Sequence, residues 1–124
     1  MGKVKQFENF RILLVDDDDF IRDSMEMYFG SINYVFHTVG SAEEALLRLK
    51  EQEYDVIITD FRLPGMDGLE FLNQLVRMNN RARKAFTTAH GNPQVFAKAR
   101  DLGVERIIEK PLSVEKVEEF LSQL

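Results

Sequence analysis

The chain has 124 residues, 44% of them hydrophobic, with no cysteine and a formal net charge of -5. This length suits one domain with a full hydrophobic core, and the acidic balance argues against a primary role on nucleic acid or an anionic membrane. The absence of cysteine excludes disulfides and thiolate chemistry, and no apolar run reaches the ~20 residues of a membrane span, so we expect a cytoplasmic protein.

Strand-like and helix-like segments alternate five times along the chain. Runs rich in apolar and β-branched residues predict strands at residues 12–15, 34–39, 54–59, 85–88 and 104–109. Apolar residues spaced three and four apart predict a helix after each strand. Because such alternation gives a parallel sheet with helices on both faces, we expect one α/β domain over residues 11–124. Residues 1–10 are predicted to be a polar lead-in.

Capping residues mark where several predicted helices begin and end. Asp18 and Asp19 stand at the start of the first helix, where carboxylates accept from free N–H groups and meet the positive end of the dipole. Gly30 predicts a left-handed stop for the same helix. Ser41 and Glu44 form a capping box for the second helix. These two helices are therefore predicted to start within a few residues of the preceding strand.

Polar residues follow the apolar runs at the downstream ends of the strands. They are Asp16 and Asp17 after the first strand, Asp60 after the third, Thr88 after the fourth and Lys110 after the fifth. Parallel strands bring their carboxyl ends to one edge of the sheet, which is where ligands bind in open α/β folds. We therefore expect these five side chains to converge on one pocket.

Three carboxylates in one pocket require a counter-charge. Like charges about 4 Å apart repel by ~4 kcal/mol at an effective dielectric of about 20. A hard divalent cation relieves this repulsion, and Mg²⁺ suits oxygen ligands, while the Lys110 ammonium neutralises part of the remaining charge. Two choices stay open: Asp17 with Asp18 in place of Asp16 with Asp17, and Thr87 in place of Thr88.

Four separate motifs carry a resemblance to a known family. They are Leu14-Val15-Asp16-Asp17, Thr59-Asp60 followed by Pro64-Gly65-Met66-Asp67-Gly68, Thr88-Ala89, and Lys110-Pro111. In this order and at these strand ends they resemble the receiver domain of two-component response regulators, including chemotaxis regulators. The likeness extends from about Arg11 to Leu124 and implies a flavodoxin-like (βα)5 three-layer sandwich with a five-stranded parallel sheet of order 2-1-3-4-5.

The resemblance also implies roles for the pocket residues. Asp60 would accept a phosphoryl group from a phosphohistidine on a sensor histidine kinase or a histidine phosphotransfer protein. Asp60, Asp17 and the backbone carbonyl of Arg62 would bind Mg²⁺, and Asp16 would hold a water molecule on the ion. Thr88 and Lys110 would hold the phosphoryl oxygens, while the loop residues Arg62 and His90 would influence how fast water reaches the acyl phosphate.

The expected output is a change in partner binding or self-association, with no enzymatic activity beyond the chain's own phosphorylation and dephosphorylation. A homodimer could form through the face of the last two helices and the last strand; the output partner is not indicated. Many receivers carry Tyr or Phe in the last strand, where this chain has Ile107. This departure supports one alternative, a receiver-like interaction module that works without phosphorylation. Another alternative is a phosphatase with a strand-end Asp nucleophile.

Overall fold

The computed structural model describes residues 10–31, 34–89 and 92–124, so the predicted lead-in lies almost entirely outside the described residues. Within them, five strands alternate with five helices. The strands are β1 (Arg11–Val15), β2 (Val35–Val39), β3 (Val56–Asp60), β4 (Arg83–Thr88) and β5 (Arg106–Glu109). The helices are α1 (Asp19–Phe29), α2 (Ala42–Glu51), α3 (Gly68–Arg77), α4 (Pro93–Asp101) and α5 (Val114–Ser122).

The strands form one parallel sheet in the order β2-β1-β3-β4-β5. This confirms the predicted flavodoxin-like sandwich with strand order 2-1-3-4-5. The central strand β3 is buried along its whole length, because helices cover both faces of a parallel sheet and its strands become apolar throughout. Two polar residues, Thr59 and Asp60, end this otherwise apolar strand, and Asp60 stands at the carboxyl edge.

Side chains alternate across the sheet, so each face has its own apolar core. On one face, Leu13 and Ile57 pack with residues of α2, α3 and α4. On the other, Leu14 and Ile58 pack with residues of α1 and α5. Within the described ranges, no helix combines the length and apolar composition that crossing a bilayer requires.

The end of α1 differs from the prediction. Gly30 has φ of -66° and ψ of -19°, so the expected left-handed stop at this residue is wrong. A Cβ atom at Gly30 would lie 2.7 Å from the Glu26 carbonyl oxygen, which explains the glycine by close approach instead of by positive φ. A glycine with positive φ does follow α4, where Gly103 has φ of 99°.

Candidate metal centre at the carboxyl edge of the sheet

The acidic residues occupy the ends of β1 and β3, the two neighbouring strands at the middle of the sheet. Val15 pairs in register with Thr59, which places Asp16 beside Asp60 one residue further on. Both residues continue the row that contains Leu14 and Ile58, so they lie on the face covered by α1 and α5.

Three carboxylates meet at this edge. One oxygen from each of Asp16, Asp17 and Asp60 lies within 4.8 Å of the other two. Asp16 is 1% exposed and Asp60 is 3% exposed, whereas Asp17 is exposed to solvent. This is an oxygen-rich donor set of the kind that hard cations bind, and it is consistent with a divalent metal site.

Asp16 provides a test of whether a cation fits. Its Oδ1 accepts a hydrogen bond from the Asp18 backbone N–H at 2.9 Å, but its buried Oδ2 has no hydrogen-bond partner among the described residues. Burial raises the pKa of this carboxyl, and the Asp18 N–H and the charge of Lys110 oppose the shift only in part. A buried carboxylate oxygen without a donor is costly, so the donor set fits an ion or an ion-bound water at this point.

The Asp18 side chain decides which acidic pair belongs to the site. Its Oδ1 accepts hydrogen bonds from the backbone N–H groups of Phe20 and Ile21 at 2.9 and 3.2 Å. This is the predicted N-cap of α1, and it turns the Asp18 carboxylate toward the helix. Asp16 and Asp17 therefore form the acidic pair, and the alternative of Asp17 with Asp18 is set aside.

Lys110 reaches across the end of β4 to the carboxylates. Its Nζ lies 2.5 Å from Asp60 Oδ2 and 3.7 Å from Asp16 Oδ2. Burial alone would lower the pKa of Lys110, but the hydrogen bond to Asp60 and the neighbouring negative charges outweigh it and raise the pKa. The ammonium therefore stays charged at neutral pH. The Lys110-Pro111 peptide bond is cis.

Arg22 is a site residue that the sequence analysis missed. Its Nη1 donates to the Asp16 carbonyl oxygen at 2.7 Å, and its Nη2 pairs with Asp19. The guanidinium therefore holds the turn that carries the acidic pair against α1. Its partner is a backbone carbonyl, which has no signature in the sequence, so no pattern could have indicated this contact.

The loop between β3 and α3 forms the other wall of the site. Together with Asp17 it borders an open cavity of about 490 Å³, whose other lining residues are Phe61, Arg62, Leu63, Pro64 and Asp67. The Arg62 N–H lies 3.4 Å from Asp60 Oδ1. Gly68 lets the loop close tightly, since a Cβ atom there would lie 2.2 Å from the Asp60 carbonyl oxygen.

The two threonines at the end of β4 differ in their register. Thr87 pairs with Asp60 and so lies on the same face of the sheet, fully buried, with an Oγ1 that has no hydrogen-bond partner in the described part of the chain. Thr88 is one residue closer to the edge, and its carbonyl accepts from the Lys110 N–H at 2.8 Å. His90 lies outside the described residues.

Comparison with known proteins identifies the family. The sequence-family model for the response regulator receiver domain matches residues 12–122 of the chain. The chain therefore belongs to this family. It is 32% identical over 114 residues to the probable chemotaxis protein CheY of Rhizobium etli, covering 89% of this chain and 88% of that protein. It is 31% identical over 114 residues to the two-component response regulator PhoP of Pseudomonas aeruginosa, covering 92% of this chain but 51% of that protein, and so spans about half its length.

A solved structure supports the same assignment. The signal receiver domain of an HD domain-containing protein from Pseudomonas fluorescens Pf-5 superimposes with a TM-score of 0.85 at 26% identity, over 94% of each chain. The chain is therefore a phospho-accepting response regulator receiver domain and not a classical enzyme, and the phosphatase alternative is set aside. Receiver domains interact with histidine kinases or phosphotransferases. The acidic cluster with Lys110 favours the phospho-accepting form over the phosphorylation-independent module.

Replacing Asp16 by asparagine is expected to stabilise the fold by about 1–2 kcal/mol in metal-free buffer at neutral pH. The raised pKa of Asp16 means that the folded state binds this proton more tightly than the unfolded chain. The contribution of Asp16 to wild-type stability should therefore be most favourable below its unfolded-state pKa and be lost as pH rises through its folded-state pKa. The amide keeps an acceptor for the Asp18 N–H and removes this pH dependence. Urea unfolding in EDTA, measured from acidic to neutral pH, gives both effects.

Asp23→Asn is the control, because Asp23 is an exposed carboxylate on α1, the helix that follows Asp16 in the chain. Its effect on the free energy of unfolding should stay within about 0.5 kcal/mol. A clear loss of stability in Asp16→Asn under metal-free conditions would contradict the conclusion that the buried charge is costly.

Proposed function

We propose that Asp60 accepts the phosphoryl group, in a Mg²⁺-dependent transfer from the phosphohistidine of a sensor histidine kinase or a histidine phosphotransfer protein. The observation that carries this proposal is the position of Asp60. Its carboxylate belongs both to the acidic cluster and to the ion pair with Lys110, and the open cavity begins at the next residue, Phe61. A phosphoryl group on Asp60 would therefore meet positive charge and have room.

The transfer needs little from the protein beyond positioning and charge. A carboxylate needs no general base to act as a nucleophile, so Asp60 can attack phosphorus directly. A carboxylate oxygen of Asp60 forms a bond to phosphorus while the P–N bond to the donor imidazole breaks. The imidazole leaves with that electron pair and takes a proton from solvent. In-line placement of the two partners and neutralisation of charge on the phosphoryl oxygens account for most of the rate.

Four residues would hold the ion. Asp17, Asp60 and the backbone carbonyl of Arg62 are the proposed ligands, and Asp16, with its buried oxygen that lacks a donor, would reach the ion through a water molecule. Bound there, Mg²⁺ would offset the negative charge that the phosphoryl group brings to three carboxylates.

Lys110 and Thr88 are the proposed contacts to the phosphoryl oxygens. The Lys110 ammonium already lies 2.5 Å from Asp60 Oδ2, and a small shift would bring it onto an oxygen of a phosphoryl group attached there. Thr88 is the last residue of β4, the strand beside β3. Thr87, in register with Asp60, is the other candidate hydroxyl, so the choice between the two threonines stays open.

The face formed by α4, β5 and α5 is the proposed surface for self-association. The exposed cations Lys98 and Arg100 lie on α4, and the exposed carboxylates Glu115 and Glu119 lie on α5. Pairing of these groups across a two-fold axis would join opposite charges. Glu118 is not part of this proposed pairing, because its Oε2 already accepts a hydrogen bond from the Tyr28 hydroxyl of α1 at 2.8 Å.

Labelling with acetyl phosphate tests the proposed chemistry. With Mg²⁺, the wild-type protein should gain the mass of one phosphoryl group, and peptide mapping should place it on Asp60. With EDTA, the initial rate should fall by about 100-fold, because the three carboxylates then oppose the incoming phosphate without a cation. Labelling that proceeds equally fast in EDTA would contradict the metal dependence, and a label on another residue would contradict the assignment of Asp60.

A further inference from the structure

The first turn of α5 contains a lysine where helix stability alone disfavours one. Ser113 is the N-cap and its Oγ accepts from the Lys116 N–H at 3.2 Å, so Lys116 occupies the third helical position. A capping box has Glu or Gln there, and α2 follows that rule with Glu44, whose Oε1 accepts from the Gly40 N–H at 3.2 Å. A cation in the first turn also opposes the helix dipole. Lys116 therefore calls for another explanation.

The Lys116 side chain binds the segment that joins β5 to α5. Its Nζ donates to the carbonyl oxygen of Glu109 at 2.8 Å and to that of Pro111 at 2.9 Å. These two carbonyls belong to the residues immediately before and after Lys110. One ammonium thus spans the backbone of the residue whose own ammonium pairs with Asp60.

The backbone of Lys110 is held on a third side as well. Its N–H donates to the Thr88 carbonyl at 2.8 Å, which continues the β4–β5 ladder by one residue. Lys116 fixes the two flanking carbonyls, so together these bonds fix the backbone position of Lys110. A lysine side chain has four rotatable carbon bonds, and a fixed backbone limits the positions that its ammonium can reach around Asp60.

We propose that Lys116 is a positioning residue for phosphoryl transfer, holding the Glu109 and Pro111 carbonyls so that the Lys110 ammonium stays against Asp60. This inference rests on the proposed roles of Asp60 and Lys110. Transfer depends on charge that is already in place when the donor arrives, and a displacement of about 1 Å in such a group can cost up to about 100-fold in rate. The two hydrogen bonds of Lys116 limit such a displacement of the Lys110 ammonium.

Three variants at this position test the proposal, with labelling by acetyl phosphate and Mg²⁺ and amide hydrogen exchange at Lys110 as readouts. Lys116→Met should label about 3–10-fold more slowly, with the loss in the maximal rate and not in the donor concentration for half-maximal rate. Its Lys110 N–H should exchange faster than in the wild type. Lys116→Arg can donate to both carbonyls and should restore both readouts. Lys50→Met, on the exposed surface of α2, is the control and should match the wild type.

Lys116→Glu separates positioning from helix stability. It completes the capping box with Ser113 and removes the unfavourable cation, so its unfolding midpoint should equal or exceed that of the wild type. It lacks the donors, however, and should still label slowly. Wild-type labelling rates and unchanged Lys110 exchange in both Lys116→Met and Lys116→Glu would overturn the inference. Slow labelling of Lys116→Met with unchanged Lys110 exchange would also overturn the inference, because the loss would then not come from the position of Lys110. A wild-type protein that does not label on Asp60 would overturn the proposed function instead.

Discussion

Replacing Asp60 by asparagine is expected to abolish phosphoryl labelling, with a loss of at least about 1000-fold relative to the wild type. The amide has the same shape as the carboxylate, so its oxygen can still accept the hydrogen bond that Lys110 now gives to Asp60 Oδ2. The variant should therefore fold normally and differ in nucleophilicity. Intact-mass spectrometry after incubation with acetyl phosphate and Mg²⁺ measures the loss.

Asp67→Asn is the matched control for this substitution. Asp67 lies in the same loop, lines the same cavity and serves as the N-cap of α3 through a 2.9 Å hydrogen bond from the Glu70 N–H. Asparagine is as good a cap as aspartate, so this variant should keep its structure and label like the wild type. Persistent labelling in Asp60→Asn would move the acceptor to another residue.

Replacing Lys110 by methionine is expected to slow labelling by about 100-fold, the usual cost of removing one preorganised charge donor. Methionine keeps an unbranched side chain of similar bulk but has neither the charge nor the hydrogen-bond donors of the ammonium. The same change leaves Asp60 and Asp16 without their nearby ammonium. We therefore expect a loss of roughly 2 kcal/mol in metal-free buffer, less than the ~3–5 kcal/mol for a fully buried pair because the Lys110 side chain is 28% exposed. Labelling kinetics and urea unfolding measure the two effects.

Mg²⁺ should restore part of the lost stability in Lys110→Met, because the ion supplies positive charge to the same carboxylates. Lys98→Met, at an exposed position of α4, controls for the general effect of removing a lysine. Wild-type labelling by Lys110→Met would show that the ammonium takes no part in the transfer.

The position of most of the site was predictable from the sequence. Asp16, Asp60 and Lys110 each stand next to an apolar strand run, and the alternation of strands and helices requires their strand ends to share an edge. The structure brings these three side chains together as expected. The Asp18 cap also follows from the local sequence, because capping depends on residues within one helical turn.

The remainder depends on contacts that no local pattern contains. The start of β4 at Arg83 was missed because Arg83 and Lys84 are polar and give no strand pattern in the sequence. They belong to the strand because they pair with Val56 and Ile57 of β3, and this pairing depends on the neighbouring strand. The same reason left Thr87 and Thr88 undecided, since the register is a property of two strands. Arg22 was missed because its partner in the site is a backbone carbonyl.

Ile107 bears on how a phosphorylated state would be read out. It pairs with Phe86 in register and packs, partly buried, against the core that includes Ala99 of α4. An isoleucine has no ring to exchange between buried and exposed positions. We therefore expect a smaller rearrangement of the α4-β5-α5 face than in receivers that carry an aromatic residue there.

The most direct test of the site is a crystal structure with Mg²⁺ and beryllofluoride, which mimics a phosphoryl group on a carboxylate. We expect beryllium bonded to an Asp60 oxygen, Mg²⁺ bound by Asp60 and Asp17, and the Lys110 ammonium on a fluoride. Beryllofluoride attached to a different carboxylate, or a magnesium ion away from these aspartates, would contradict the account.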